Sequence, residues 1–224
     1  MTVTATNVAV ANILNVYAQA TDYEIKEGAE WYTGDAWAFC LNMGWQVAAH
    51  LGQLTQEIGD RHYARFAAAV VAVMSPQKEW RVNKALADAA IKQVVSGETV
   101  TGHYEAQCKK VEKLYRYFLL NRGVAFNNDD VLNIISKSDS QKTRCFYMNI
   151  TGNHLPVTVD GHAASIVENG LKRVSITQTK QPKGRKYEEY AAAYIVASQF
   201  AGVSPAVMQA ITWVTYRRMG LVVK

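Results

Sequence analysis

Residues 61–74, RHYARFAAAVVAVM, are apolar on every side from Phe66 onward. A helix made of them has no wet face, so it must be wrapped by other elements rather than laid on a surface. The run is too short to span a bilayer, which takes about 20 apolar residues. Other elements must therefore enclose it, and the sequence supplies them as more helix. The 224 residues contain only four prolines, and alanine, leucine and valine recur at helical spacing through most of the chain. The expectation is an all-α fold in a single compact unit, residues 1–224.

The other segments read as follows. TGDAWAFCLNMGWQVAAHLG carries a Thr33/Asp35 capping signal and stops at Gly52. In EWRVNKALADAAIKQVVSG, the residues Val82, Leu86, Ala89 and Val94 mark the predicted inner face, with a stop at Gly97. YEAQCKKVEKLYRYFLLNRG turns Val111, Leu114, Tyr115 and Phe118 inward and ends at Gly123. Its Lys109, Lys110, Lys113 and Arg116 read as a solvated face. Asp129 is the expected cap of a short helix, DDVLNIIS. The polar turn SKSDSQ offers Ser138, Asp139 or Ser140 as cap of a helix carrying Lys142, Cys145, Phe146 and Asn149. LPVTV reads as a short extended piece. Asp160 opens the next helix, which Gly170 ends. TKQPKGRK reads as a mobile basic loop, and two helices close the chain, the second with Ser204 as N-cap and Pro205 at its first position.

Composition narrows the function classes. The three cysteines, Cys40, Cys108 and Cys145, are odd in number and widely spaced, which points to a reducing compartment and gives no metal or iron–sulfur spacing. No metal and no cofactor is expected. The N-terminus lacks the basic start of a secretory leader, and no apolar run suits a membrane, so a cytoplasmic monomer is expected. The formal charge of +5 is compatible with a polyanionic partner but does not select one.

Chemistry concentrates in KTRCFYMNITGNHLPVTVDGH, residues 142–162, where Lys142 and Asp160 each stand at a predicted helix start. Both residues suit helix ends on their own account, aspartate as a preferred N-cap. As a pair they also suffice for a reaction. An uncharged lysine amine attacks a sugar C1′ and forms a Schiff base. A carboxylate stabilises the cationic transition state in which a glycosidic bond breaks.

The same stretch resembles the catalytic segment of endonuclease III-like (HhH-GPD) DNA glycosylases, in which LPGVGxKTA is followed at a similar interval by VDTHV. KTRCFYMN corresponds to the lysine-bearing helix and VTVDGHAASI to the aspartate segment. Upstream, AVVAVMSPQKEWRVNKALADA resembles the family's LLSAQATDxxVNKA, with Ser75, Gln77, Val82, Asn83, Lys84 and Ala85 in register. ITWVTYRR around Trp213 resembles the tryptophan- and arginine-bearing helix near that family's C-terminus. This chain would be a compact, phage-type relative. It lacks the cluster cysteines, and SKSDS replaces the glycine hairpin whose amides approach a DNA phosphate.

The resemblance implies a two-lobed protein, with a helical barrel lobe at 63–157 and a second lobe joining 1–62 to 158–224. It implies an enzyme with DNA as partner, in a bacterial or phage-infected host cell, acting on a flipped base. Asp160 would be the transition-state carboxylate, Lys142 the Schiff-base nucleophile and Gln77 the wedge. Trp80, Ser138, Ser140, Lys183, Arg185 and Lys186 are further candidates for touching DNA. His162 is expected to be structural. Trp31, Trp37 and Trp45 offer a stacking surface, although the helical spacing of Trp37 and Trp45 favours the core. Two other activities fit the same implied scaffold. One is phage thymine hypermodification, in which an amine displaces pyrophosphate from a 5-hydroxymethyl base. The other is non-catalytic DNA binding or inhibition.

Overall fold

The computed structural model describes residues 3–52, 59–121, 127–136, 141–175 and 180–223. Its helices are α1 (Val3–Tyr17), α2 (Asp22–Glu30), α3 (Trp37–His50), α4 (Gly59–Met74), α5 (Trp80–Val95), α6 (Glu105–Leu120), α7 (Asn128–Ile135), α8 (Gln141–Ile150), α9 (Gly161–Asn169), α10 (Gly184–Ala201) and α11 (Pro205–Arg218). Strands β1 (Val174–Ser175) and β2 (Val222–Val223) form one short parallel pair. The fold is all-α. Among the described residues no single helix is long and apolar enough to cross a membrane.

Two compact units divide the chain, Thr33–Ser138 and Met1–Tyr32 with Asp139–Lys224. These limits differ from lobes at 63–157 and at 1–62 with 158–224. Residues 33–52 join the middle unit because α3 packs along α4, so closely that a Cβ at Gly44 would lie 2.5 Å from the Ala64 amide nitrogen. Residues 141–157 join the terminal unit.

In the middle unit α4 is the hub, packed against α3, α5, α6 and α7. Every residue from Phe66 to Ser75 is buried, as a helix without a polar face requires. α5 buries Asn83, Ala87, Ala90, Ile91 and Val94, leaving Val82 and Ala89 exposed. That face is rotated from the expected one, because the alanine-rich helix offers two stripes of equal period and the smaller side chains let it approach α4. Trp45 is 40% exposed rather than core, and Trp37 is half-buried. α7 is capped by Asn127, whose side chain accepts from the Asp129 amide, so Asp129 lies inside the first turn. A π-helical turn, Tyr32–Ala36, leads into α3 without a side-chain cap. The expected end at Gly123 and the caps Ser138, Asp139 and Ser140 lie outside the described residues.

In the terminal unit one apolar cluster joins α1, α9, α10 and α11 through Ile13, Val16, Ile166, Tyr194 and Met208. α2 crosses α11 with Gly28 against Ile211, where an added Cβ would sit 2.5 Å from the Ile211 Cα. Gly170 ends α9 at φ +57°, and Asn12 of α1 donates its amide to the Val167 carbonyl there. α11 starts as its sequence dictates, with the Ser204 hydroxyl accepting from Val207 and Pro205 following. α10 begins earlier than expected, so Arg185 and Lys186 belong to its first turn rather than to a loop.

Candidate active site

The segment before Asp160 explains how this carboxylate is held. Val157–Val159 reads like a strand but pairs with no strand among the described residues. The Val159 amide donates to the Val157 carbonyl at 3.1 Å, and side chains supply the further partners that buried backbone needs. The Tyr187 hydroxyl donates to the Val157 carbonyl (2.7 Å) and accepts from the Val159 amide (3.1 Å). Gln181 donates to the Val159 carbonyl at 2.6 Å. From α8, Asn149 donates to the Pro156 carbonyl, and the Thr158 hydroxyl donates to the Asn149 side-chain carbonyl at 2.7 Å. The strap therefore arrives at Asp160 in one conformation.

Asp160 is the N-cap of α9. Its Oδ1 accepts from the Ala163 amide at 2.8 Å and its Oδ2 from the Trp213 indole nitrogen at 3.2 Å. The side chain is 22% exposed, so it is held yet reachable. His162 Nδ1 lies 4.0 Å from Oδ2, and its ring meets Trp213 edge-on at 6.4 Å. Trp213 in turn lies 5.2 Å from Trp31 at the end of α2, while the Arg217 guanidinium sits 4.6 Å over the Trp213 ring. One indole thus binds the carboxylate, and a second indole and a guanidinium flank that indole.

Neutral phenols line the inner side. Burial pushes Tyr32 well above the ordinary tyrosine range, a nearby Thr158 hydroxyl opposes this, and the Asp160 charge adds to it. Tyr32 donates to Gln209 at 2.9 Å. Tyr194 is raised for the same first reason, burial, with Asp160 again contributing. These hydroxyls stay protonated at neutral pH and act as donors.

Lys142 is the second residue of α8 and is half-buried. It makes no ion pair or hydrogen bond with the described residues. It shares a helix face with Cys145 and Asn149, at spacings of three and seven. Asn149 meets Thr158, and Cys145 contacts Tyr187, which grips Val159. Burial raises the Cys145 thiol, so it is no ready nucleophile.

Of the basic residues near the start of α10, Arg185 pairs with Glu189 at 3.1 Å and Lys186 with Glu168 at 2.7 Å. Lys186 is raised by Glu168 and by Tyr190, whose ring it also covers at 5.4 Å. Lys183 is exposed, with no ion pair to a described residue. Ser138 and Ser140 lie outside the described residues.

Within the middle unit, Gln77 occupies the turn between α4 and α5. Among the described residues it is the one non-glycine with positive φ, +59°. It is exposed, and its Oε1 accepts from the Tyr104 hydroxyl at 2.8 Å. Trp80 is half-buried, its indole N–H donating to Asp35, while Lys84 contacts the same carboxylate at 3.2 Å and lies 5.1 Å over the indole ring. Asp35 therefore serves Trp80 and Lys84, not the start of α3.

DUF7178, a family of unknown function, matches residues 2–219. The chain belongs to that family. No curated protein and no solved structure matches it. In this DUF7178 chain the geometry adds Arg217, Tyr187, Gln181 and Tyr104 to the residues singled out from sequence, and it sets Trp31 beside Trp213. Arg217 had a signal, standing four residues after Trp213 on one helix face. The Tyr187 and Gln181 contacts had none, since each spans more than twenty residues. Among the described residues no group of three or more His, Cys, Asp or Glu side chains is placed to hold a metal.

Proposed function

We propose that the chain is a DNA base glycosylase-like enzyme acting on a flipped base. The observation that carries this reading is the hydrogen bond between Trp213 and Asp160, 53 residues apart. The two come from separate segments of the endonuclease III-like resemblance, and they meet at one partly exposed carboxylate. A scaffold kept only for packing has no need of an aspartate that caps a helix, accepts an indole and still faces solvent.

In this reading Asp160, as an anion, offsets the positive charge that develops at C1′ as the bond to the base nitrogen breaks. The base leaves with the bonding electron pair. Lys142, as its neutral amine, attacks C1′ and yields the imine from which strand cleavage follows. Where Lys142 stays an ammonium, water replaces it as nucleophile and only the base is released. Gln77 is assigned the wedge that fills the gap in the stack.

The test is mass spectrometry of products from duplexes carrying uracil, an alkylated purine, an oxidised purine or 5-hydroxymethyluracil, the last also as its diphosphate. Free base from at least one of them is expected. Pyrophosphate without free base would replace this reading by an amine-for-pyrophosphate exchange on the intact nucleotide. Unchanged DNA throughout would leave a binding protein.

A further inference from the structure

We propose that Tyr104 is a positioning residue for Gln77, holding its side chain ready for insertion into a DNA base stack; this rests on the DNA reading above. Residues Ser75–Lys78 close a turn, with the Lys78 amide donating to the Ser75 carbonyl at 3.2 Å. Pro76 stands second in that turn and Gln77 third, with a positive φ. A turn of that kind ordinarily takes glycine or asparagine at its third position. A glutamine there costs about 1–2 kcal/mol of backbone strain. Local preference is thus overridden at an exposed site where packing does not demand it, which marks the side chain itself as the feature being kept.

A strained, exposed glutamine would otherwise sample many rotamers. Tyr104 removes that freedom through a hydrogen bond across 27 residues. Its ring is steadied in turn. His103 lies 4.8 Å from it, and the same imidazole reaches the Met74 carbonyl at the end of α4 with Nε2 at 3.2 Å. The 103–104 pair therefore brackets the turn at both ends, Met74 and Gln77. Tyr104 is 52% exposed, so its hydroxyl needs no protein partner for its own sake. Ordering a rotamer-rich side chain before binding removes a cost of about 0.5–1.5 kcal/mol that insertion would otherwise bear, or about 2- to 13-fold in the insertion equilibrium.

The test uses the full chain and a duplex with 2-aminopurine facing a tetrahydrofuran abasic analogue, so that insertion is read as a fluorescence change. Four proteins are compared: wild type, Gln77→Ala, Tyr104→Phe and the double variant. Wild type should give the signal and Gln77→Ala should lose most of it. Tyr104→Phe should lower the insertion equilibrium about 2- to 13-fold, and the double variant should match Gln77→Ala alone. Affinity for an unmodified duplex and the melting temperature should be unchanged in Tyr104→Phe. A wild-type signal in Tyr104→Phe, additive losses in the double variant, or an equal loss of affinity for unmodified duplex would overturn the proposal while leaving the DNA reading intact. No signal from wild type itself would overturn both.

Discussion

Asp160 and Gln77 are held in opposite ways. Asp160 follows a strap whose peptide groups are bound by Tyr187, Gln181 and Asn149, and both its own oxygens accept N–H donors. Gln77 is exposed, strained at φ +59°, and fastened through Tyr104. The first arrangement suits a charge that must not move while a bond breaks, since a preorganised group spends nothing on reorientation at the moment of reaction. The second suits a side chain presented to a partner in an ordered position. Rigidity is built from buried backbone bonds, and presentation from strain plus one contact between exposed side chains.

The largest effect expected is at Lys142. If its amine is the nucleophile, borohydride traps a covalent protein–DNA adduct, and Lys142→Gln eliminates both the adduct and strand cleavage while base release persists. An adduct that survives in Lys142→Gln would move the lyase role to another amine.

The contrast between the two regions sharpens in stability. Tyr187→Phe leaves the buried Val159 amide and Val157 carbonyl with only their mutual 3.1 Å contact, so urea denaturation should show a loss of about 1–3 kcal/mol. Tyr104→Phe removes a bond between exposed groups and should cost under about 0.5 kcal/mol. Equal losses would mean that the strap is not the rigid element described.

Gln77→Gly runs the other way. Glycine relieves about 1–2 kcal/mol of left-handed strain and costs about 0.5–1 kcal/mol in chain entropy. The variant should be between neutral and about 1.5 kcal/mol more stable, with base insertion lost. Clear destabilisation would show that the turn is not strained.

The smallest effect concerns the Glu24–Arg218 pair, which ties α2 to the end of α11. Burial raises the Glu24 carboxyl, but the Thr21 amide, the Arg218 guanidinium and the Thr21 hydroxyl outweigh it, leaving the group below its ordinary value. A depressed carboxylate contributes stability that is complete above its unfolded value, about 4.3, and is lost as pH falls through the lower folded one. Glu24→Gln should therefore flatten the acid limb of the stability curve and leave its dependence above pH 6 unchanged.

Much of the fold was legible because it depends on local chemistry. Phe66–Met74 could only be a wrapped helix, and Asp160, Gly170, Ser204 and Pro205 mark helix ends by the peptide groups they satisfy or release. Asp35 shows where that logic stops. It has the form of a cap, yet it accepts from Trp80, 45 residues away. LPVTV shows a second limit, because alternating apolar residues specify extended backbone without specifying what binds its peptides. Here Tyr187, Gln181 and Asn149 do so, and no pattern within the segment announces them. The candidate site was legible as residue types in an order. The Trp213–Asp160 bond and the Tyr104–Gln77 bond were not, since each is decided by packing between distant helices.

The central claim is that Asp160 is the working carboxylate rather than only a helix cap. Asp160→Asn separates the two, because the one asparagine oxygen still caps the Ala163 amide about as well as aspartate does, while the negative charge and the acceptor for Trp213 are lost. The decisive measurement is the single-turnover rate of base release by Asp160→Asn, on whichever modified duplex the wild type processes, beside thermal melting of both proteins. The account predicts a fall of about 10²-fold or more with melting almost unchanged; a rate within about threefold of wild type, a difference worth less than 1 kcal/mol of barrier, would contradict it.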